Sequence, residues 1–319
     1  MKNIQFIRLI ALFLIGSTIS VSCVKEQENI FNMFDDLSVE FIDKGGFSIT
    51  QDAILNDGDS AYIYFNVSSQ ENMTKISVDS TLGNGQIGKR EIILKQDEKN
   101  SYSGLIKHKM KRDGKITFRV YAYNRVNEYI GDGYKSITLE GRPSYINLPN
   151  RQIYAPQEGD NSRKSFYSIL NGAAYDFATG KSNSSNIDFG IYELKDTRPT
   201  HINRSSYNLY SIAVDENPNP TLDISDWNKR TTLFSAPITS SASTFTNVLV
   251  SSSMIETEAK KRTINLTKTA ITDSDKGLAA GNMVYFLTPE GKYGALYVNQ
   301  VTSDSEGFRY LSVSTKIQK

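Results

Sequence analysis

Cysteine, histidine and paired carboxylates carry most nucleophilic, metal and acid–base chemistry, and this chain of 319 residues holds one Cys and two His. The cysteine is Cys23. The histidines, His108 and His201, lack the second His at helical spacing that a metalloprotease site needs. The usual zinc site takes three or four Cys and His ligands close together, so it is excluded, as is a disulfide within the chain. No G-x-S-x-G elbow occurs, which removes the common serine-hydrolase motif. Gly83, Asn84, Gly85, Gln86, Ile87 and Gly88 match G-x-G-x-x-G, but dinucleotide binding needs a helix to open after the glycines. Residues 90–94 are β-prone instead, so the glycines read as a hairpin. Residues 56–59 and 273–277 resemble fragments of calcium loops without the closing Glu of an EF-hand, and read as turns. Asp and Glu together number 35, and spacing in sequence does not reveal which carboxylates meet in space. A hydrolase with an unmarked carboxylate pair therefore stays open as an alternative. The leading reading is a non-catalytic protein with no catalytic residue, no metal site and no cofactor.

The surroundings of Cys23 give it a role. Lys2 and Arg8 supply a positive flank, residues 9–15 form a short apolar core, and the small residues Ser20 and Ser22 precede the cysteine. This is an export signal over 1–22, too short in its apolar part to span a bilayer. The run Ser20, Val21, Ser22, Cys23 resembles the relaxed lipobox of Bacteroidota lipoproteins, although Ser20 stands where Leu is common. The resemblance implies that Cys23 is the lipid attachment site, holding the protein on the outer membrane by buried methylenes. The plainer alternative is a secretory signal cut after Ser22, which leaves a free thiol. Residues 23–36 form a tether. Its start, Lys25, Glu26, Gln27 and Glu28, resembles the tag that sends such lipoproteins to the cell surface, or is simply a solvated charged segment.

Lys plus Arg is 36, so the net charge is near zero and a strongly basic nucleic-acid binder is excluded. Aromatic residues make up 11 %, nearly all Tyr (18) and Phe (15) with one Trp, so the aromatic chemistry rests on few positions. Trp227, Tyr207 and Tyr210 form a candidate ligand-binding platform for a sugar ring or an extended peptide, provided they are exposed. The alternative, and the commoner arrangement, puts Trp227 in a core. Tyr121 and Tyr123 share one strand face and read as core or interface.

The elements that position these residues are mainly strands. Between 37 and 141, alternating apolar runs at 37–42, 61–67, 75–78, 90–94, 103–107, 115–123 and 134–139 are separated by Gly, Asn and Asp turns. Seven short strands at that spacing predict an immunoglobulin-like sandwich. The Pro-containing stretch from Arg142 to Pro156 reads as a boundary. From 145 to 319 a second β-rich domain with little helix is expected. Its strands fall at 166–170, 187–192, 282–287, 294–298 and 309–313, with a tight turn at 288–291. One short helix is expected over 251–261, capped by Ser252 or Ser253, and the Ser/Thr-rich run 239–246 reads as a loop.

Residues 165–178 followed by 186–192, then Asp226 to Thr231, Gly291 to Gly294 and the closing 316–319, resemble a group of Bacteroidota surface lipoproteins with an Ig-like first domain. That group is associated with SusC/SusD-type outer-membrane nutrient importers. The resemblance implies an accessory or ligand-binding subunit of such an importer, taking a glycan or a peptide; it supplies no catalytic residue. An adhesin or structural surface protein is the alternative from a different class. Replacing Cys23 by Ala is expected to move the protein from the detergent phase to the aqueous phase in a Triton X-114 partition of whole cells. Unchanged partition would contradict lipidation at this residue.

Overall fold

Apolar side chains at every second position dictate the first domain. The computed structural model describes residues 37–319 except 86, 131–132, 158, 197–199, 201–204 and 270–276. The export signal, Cys23, the tether, His201 and residues 273–276 lie outside the described residues. The strands are β1 (Ser38–Ile42), β2 (Ala53–Leu55), β3 (Ser60–Ser68), β4 (Lys75–Leu82), β5 (Ile87–Ile93), β6 (Ser101–Lys109), β7 (Gly114–Tyr123) and β8 (Lys135–Gly141). They form a three-stranded sheet, β1-β3-β6, facing a five-stranded one, β2-β8-β7-β4-β5. In β3, Ala61, Ile63, Phe65 and Val67 are fully buried and the intervening residues are not, the alternation of a strand with one face in a core. Ile76, Val78, Phe118, Val120, Ile137 and Leu139 meet them from the other sheet. The result is the expected immunoglobulin-like sandwich, with one strand more than the sequence pattern suggests. The extra strand, β2, has only three residues and pairs parallel to β8, too short to show a period.

The second domain starts at once. The expected boundary segment is instead β9 (Tyr145–Tyr154), the outer strand of a six-stranded sheet. Pro149 is tolerated there because one side of an edge strand needs no N–H donor. The remaining elements are β10 (Phe166–Ser168), β11 (Ala173–Tyr175), α1 (Phe177–Ser182), β12 (Phe189–Lys195), β13 (Ser205–Ser211), β14 (Leu233–Ser235), α2 (Ser252–Ala259), β15 (Ile264–Leu266), β16 (Met283–Leu287), β17 (Tyr293–Ser303) and β18 (Arg309–Gln318). The sheets run β15-β14-β16-β17-β18-β9 and β11-β10-β12-β13. Phe189, Ile191 and Leu209 pack against Phe286, Leu296 and Leu311 between them. Both sheets are also covered on their outer faces. Loop 212–230 and α1 cover one, and α2 with a π-helical turn, Thr244–Val248, covers the other. That double cover explains why β12 and β16 are continuous apolar runs rather than alternating ones. The loop expected at 239–246 is present at 239–241, and its remainder is helical and leads into the π-helical turn. The helix expected near 251 is present as α2, but its cap is Ser251, whose hydroxyl accepts from the Met254 N–H at 3.3 Å. Among the described residues no helix is long and apolar enough to cross a membrane.

Large rings laid over glycines recur in both domains. Phe65 pairs with Gly104 across β3 and β6, and a Cβ on Gly104 would lie 2.2 Å from the ring. Phe286 covers Gly294 in the same way, with a Cβ 2.1 Å from its ring. The missing side chain makes the space the ring fills, so neither partner can change size alone.

The domains are joined through charge and backbone together. Asp113, in the β6–β7 turn, accepts from the Ser144 N–H at 2.7 Å and the Ser144 hydroxyl at 2.6 Å. The Ser144 oxygen in turn accepts from the Ser252 N–H at 2.8 Å. Asp57, in the β2–β3 turn, accepts from the Ser253 N–H at 2.5 Å and its hydroxyl at 2.7 Å. The first N–H groups of a helix have no partner within it, and negative charge is favoured there. Here the linker and the first domain supply those acceptors. Gly104→Ala is expected to destabilise the protein by about 1–3 kcal/mol through overpacking against Phe65, read by urea denaturation. A stability equal to wild type would show that the ring shifts freely.

Candidate functional site

The predicted aromatic platform is not a surface. Trp227 is 4 % exposed and Tyr210 fully buried, while Tyr207 is half-buried against the central core of the second domain. Burial follows from the same ring-on-glycine packing. A Cβ on Gly180 would lie 2.6 Å from the Trp227 ring, and one on Gly190 would lie 2.6 Å from Tyr210. Phe177 stacks on Trp227 with centroids 5.6 Å apart, and Phe166 lies 4.6 Å from it. Tyr210 and Trp227 therefore serve one core, and Tyr207, on the opposite face of β13, serves another.

The G-x-G-x-x-G match is the β4–β5 turn, with Gly85 at φ +84° and its N–H bonded to the Leu82 carbonyl. Residues 56–59 form the turn that presents Asp57 to α2, while Asp59 accepts from the Asn56 N–H. Among the described residues no three His, Cys, Asp or Glu side chains are grouped to hold a metal ion. His108 is half-buried, edge-on to Phe118 at 5.2 Å, and burial lowers its pKa.

Two carboxylate pairs are each bridged by an arginine, Asp160 and Glu306 by Arg163, and Asp188 and Glu290 by Arg230. Arg230 bonds buried Asp188 through Nε and Nη2, each at 3.2 Å, and grips Glu290 at 2.7 and 3.0 Å. Asp188 also accepts from the Ile169 N–H and the Thr232 hydroxyl. Burial raises the Asp188 pKa against the pull of Arg230, whereas hydrogen bonds from Arg230 lower that of Glu290 to about 2. With Arg230 between them and Asp188 sealed from solvent, the pair ties the start of β12 to the β16–β17 turn.

The exposed aromatic surface lies elsewhere, on the outer face of the five-stranded sheet. Tyr121 and Tyr123 on β7 and Tyr129 on the following loop form a triangle with centroids 5.0–5.4 Å apart. Tyr129 covers the other two and is itself 55 % exposed. Lys75 sits 4.3 Å from the Tyr123 centroid, bonded to Glu91 and to Asn127. Arg119 stacks 4.1 Å from Tyr134. The register places Ile93, Lys75 and Tyr123 side by side across β5, β4 and β7. Ile93, Val126, Tyr129 and Tyr134 are more than half exposed, so apolar and aromatic groups are presented together around the largely covered Lys75 and Tyr123. The loop holding Val126 and Tyr129 is fixed by Asn124, whose side-chain oxygen accepts from two of its N–H groups. Tyr121 donates to Asp79 at 2.8 Å, and burial pushes its hydroxyl up in pKa. Hydrogen bonding from Tyr121 lowers Tyr123. The sequence pairs Tyr121 with Tyr123 correctly, but gives no sign that Tyr129 and Lys75 join them.

No family model and no curated protein matches this chain. Among solved structures, a CARDB domain from Pyrococcus furiosus in complex with di-metal ions aligns at 11 % identity over 34 % of this chain and 94 % of that one, with a TM-score of 0.24. A solution structure of the same domain gives 9 % identity, 34 % and 96 % coverage and 0.23. A family 76 glycoside hydrolase from a bovine Bacteroides thetaiotaomicron strain gives 11 % identity over 42 % of this chain and 31 % of that one, at 0.20. Likeness at that level carries no argument about this chain.

A buried lysine supports the junction from behind. Lys316, 5 % exposed on β18, donates to the carbonyls of Phe245 and Leu249 at 2.7 and 2.8 Å, fixing both ends of the π-helical turn. Burial lowers its pKa from 10.5 to about 8. The unfolded chain therefore holds this proton when the folded chain has released it, and stability contributed here rises with pH from about 8 to 10.5. Below about pH 8 both states are charged and the contribution is flat. Denaturation of wild type and Lys316→Met at about pH 7.5 and about pH 10 is expected to show wild type gaining on the variant. A constant difference would contradict the lowered pKa.

Proposed function

We propose that this protein is a non-catalytic, lipid-anchored surface protein of the outer membrane that acts as an accessory or ligand-binding subunit of a SusC/SusD-type importer of glycans or peptides. Cys23 is the attachment site, residues 23–36 are the tether, and the Ig-like domain is the docking module. The observation that supports this reading is the exposed group Ile93, Val126, Tyr129 and Tyr134, set around Lys75 and Tyr123 on the outer face of the five-stranded sheet. Aromatic side chains such as Tyr are enriched where proteins meet, and grouped exposure of apolar and aromatic residues marks an interaction surface. Its rigid framing by Asn124 and Lys75 limits the ordering cost of docking. The export signal and lone cysteine support the address, and the resemblance to importer-associated lipoproteins supports the partner.

The test is recovery of a tagged protein from its own outer membrane in mild detergent, followed by mass spectrometry of its companions. Wild type is expected to bring down a large β-barrel and its lid lipoprotein in near-equal amounts. Ile93→Glu combined with Tyr129→Ser is expected to lose them while remaining folded and membrane-bound. Wild type recovered alone would contradict the importer reading and favour a free-standing adhesin.

A further inference from the structure

The joint between the domains holds a half-open cavity of about 380 Å³, within the range of sites that hold small organic molecules. Its walls are largely carbon. Leu82, Met110 and Ile116 come from the first domain, and Val248, Val250 and Met254 from the second. The charged residues lining it are of one sign: Lys109, Lys111 and Arg112 contribute, and no Asp or Glu does. Among the described residues none of these three cations forms an ion pair. The bond Arg112 makes across the joint, to the Asn247 carbonyl, is long at 3.4 Å. The nearby carboxylates Asp57 and Asp113 are outside the lining and already bonded to Ser253 and Ser144. His108 also lines it, half-buried, and burial lowers its pKa.

Carbon walls with cations and no anion fit one ligand chemistry. We infer that the junction cavity binds a small amphipathic organic anion, with Arg112 and the adjoining lysines taking the acidic headgroup and the six carbon side chains taking an apolar body. A planar guanidinium is suited to a carboxylate, sulfonate or phosphate, and a desolvated contact of this kind is stronger than a surface one. Because both domains contribute to the wall, an occupant also braces the joint. The site is separate from the tyrosine face and stands whether or not that face docks an importer.

The probe is 1-anilinonaphthalene-8-sulfonate, compared with uncharged N-phenyl-1-naphthylamine, on the mature chain carrying Cys23→Ser so that no detergent is needed. The sulfonate is expected to bind at one per chain and about tenfold more tightly than the neutral probe, the difference one charge-assisted contact supplies. Arg112→Met is expected to weaken the sulfonate about tenfold and leave the neutral probe unchanged. Met254→Trp is expected to abolish both by filling the cavity. In wild type the sulfonate is expected to shift the amide resonances of Met110, Ile116, Val250 and Met254, a readout that needs no variant to fold. Equal affinity for the two probes, an Arg112→Met variant that binds the sulfonate as wild type does, binding retained by Met254→Trp, or shifts confined to another surface would each overturn the inference.

Discussion

Two carboxylates from turns of the first domain hold this molecule together as one body. Asp57 and Asp113 both end on the N-terminal turn of α2, one through Ser253 and the other through Ser144 and then Ser252. A helix begins with unpartnered donors and a partial positive charge, so the second domain offers a place that an acidic turn can satisfy. The tight hydrogen bonds fix direction as well as distance. The linker is only Arg142 to Ser144, and its Ser144 is itself part of the bonded chain. The cavity and the orientation of the tyrosine face relative to the second domain both follow from that joint.

Packing within each domain obeys a different rule, in which a ring occupies the space a glycine leaves. Phe65 on Gly104 and Phe286 on Gly294 sit inside sandwiches, whereas Tyr210 on Gly190 and Trp227 on Gly180 seal the outer side of the four-stranded sheet. The single Trp is thereby committed to stability. The aromatic surface on the outer face of the five-stranded sheet is built on tyrosines of the first domain: the Tyr121 hydroxyl donates to Asp79, the Tyr123 hydroxyl accepts from Lys89, and Lys75 and Lys89 flank the Tyr123 ring. A ring with a polar tip suits a site where the ring packs and the hydroxyl finds a partner, which is why Tyr rather than Phe stands at 121 and 123.

Period-two patterning made the first domain readable from sequence, since each long strand has one face in the core and one outside. The second domain was less legible for a physical reason. Its sheets are covered on both faces, so β13 and β18 carry buried polar residues such as Asn208, Ser211 and Thr315 that do not look like strand interior. Short strands such as β11, β14 and β15 have too few residues to show any period. Pro149 made β9 look like a linker. The platform built on Trp227 and Tyr210 failed because the glycines beneath them, forty-odd and twenty residues away in the chain, decide burial. The cavity was invisible for the same reason: it exists only where turns of two domains meet.

The account rests most heavily on the joint being one fixed arrangement. Pulsed electron paramagnetic resonance between nitroxide labels on Lys107 and Glu306, in a Cys23→Ser background, measures it directly. The account predicts a single narrow distance distribution that broadens when Asp57 and Asp113 are both replaced by Ala. A distribution already broad in the parent protein, and unchanged by those substitutions, would contradict it.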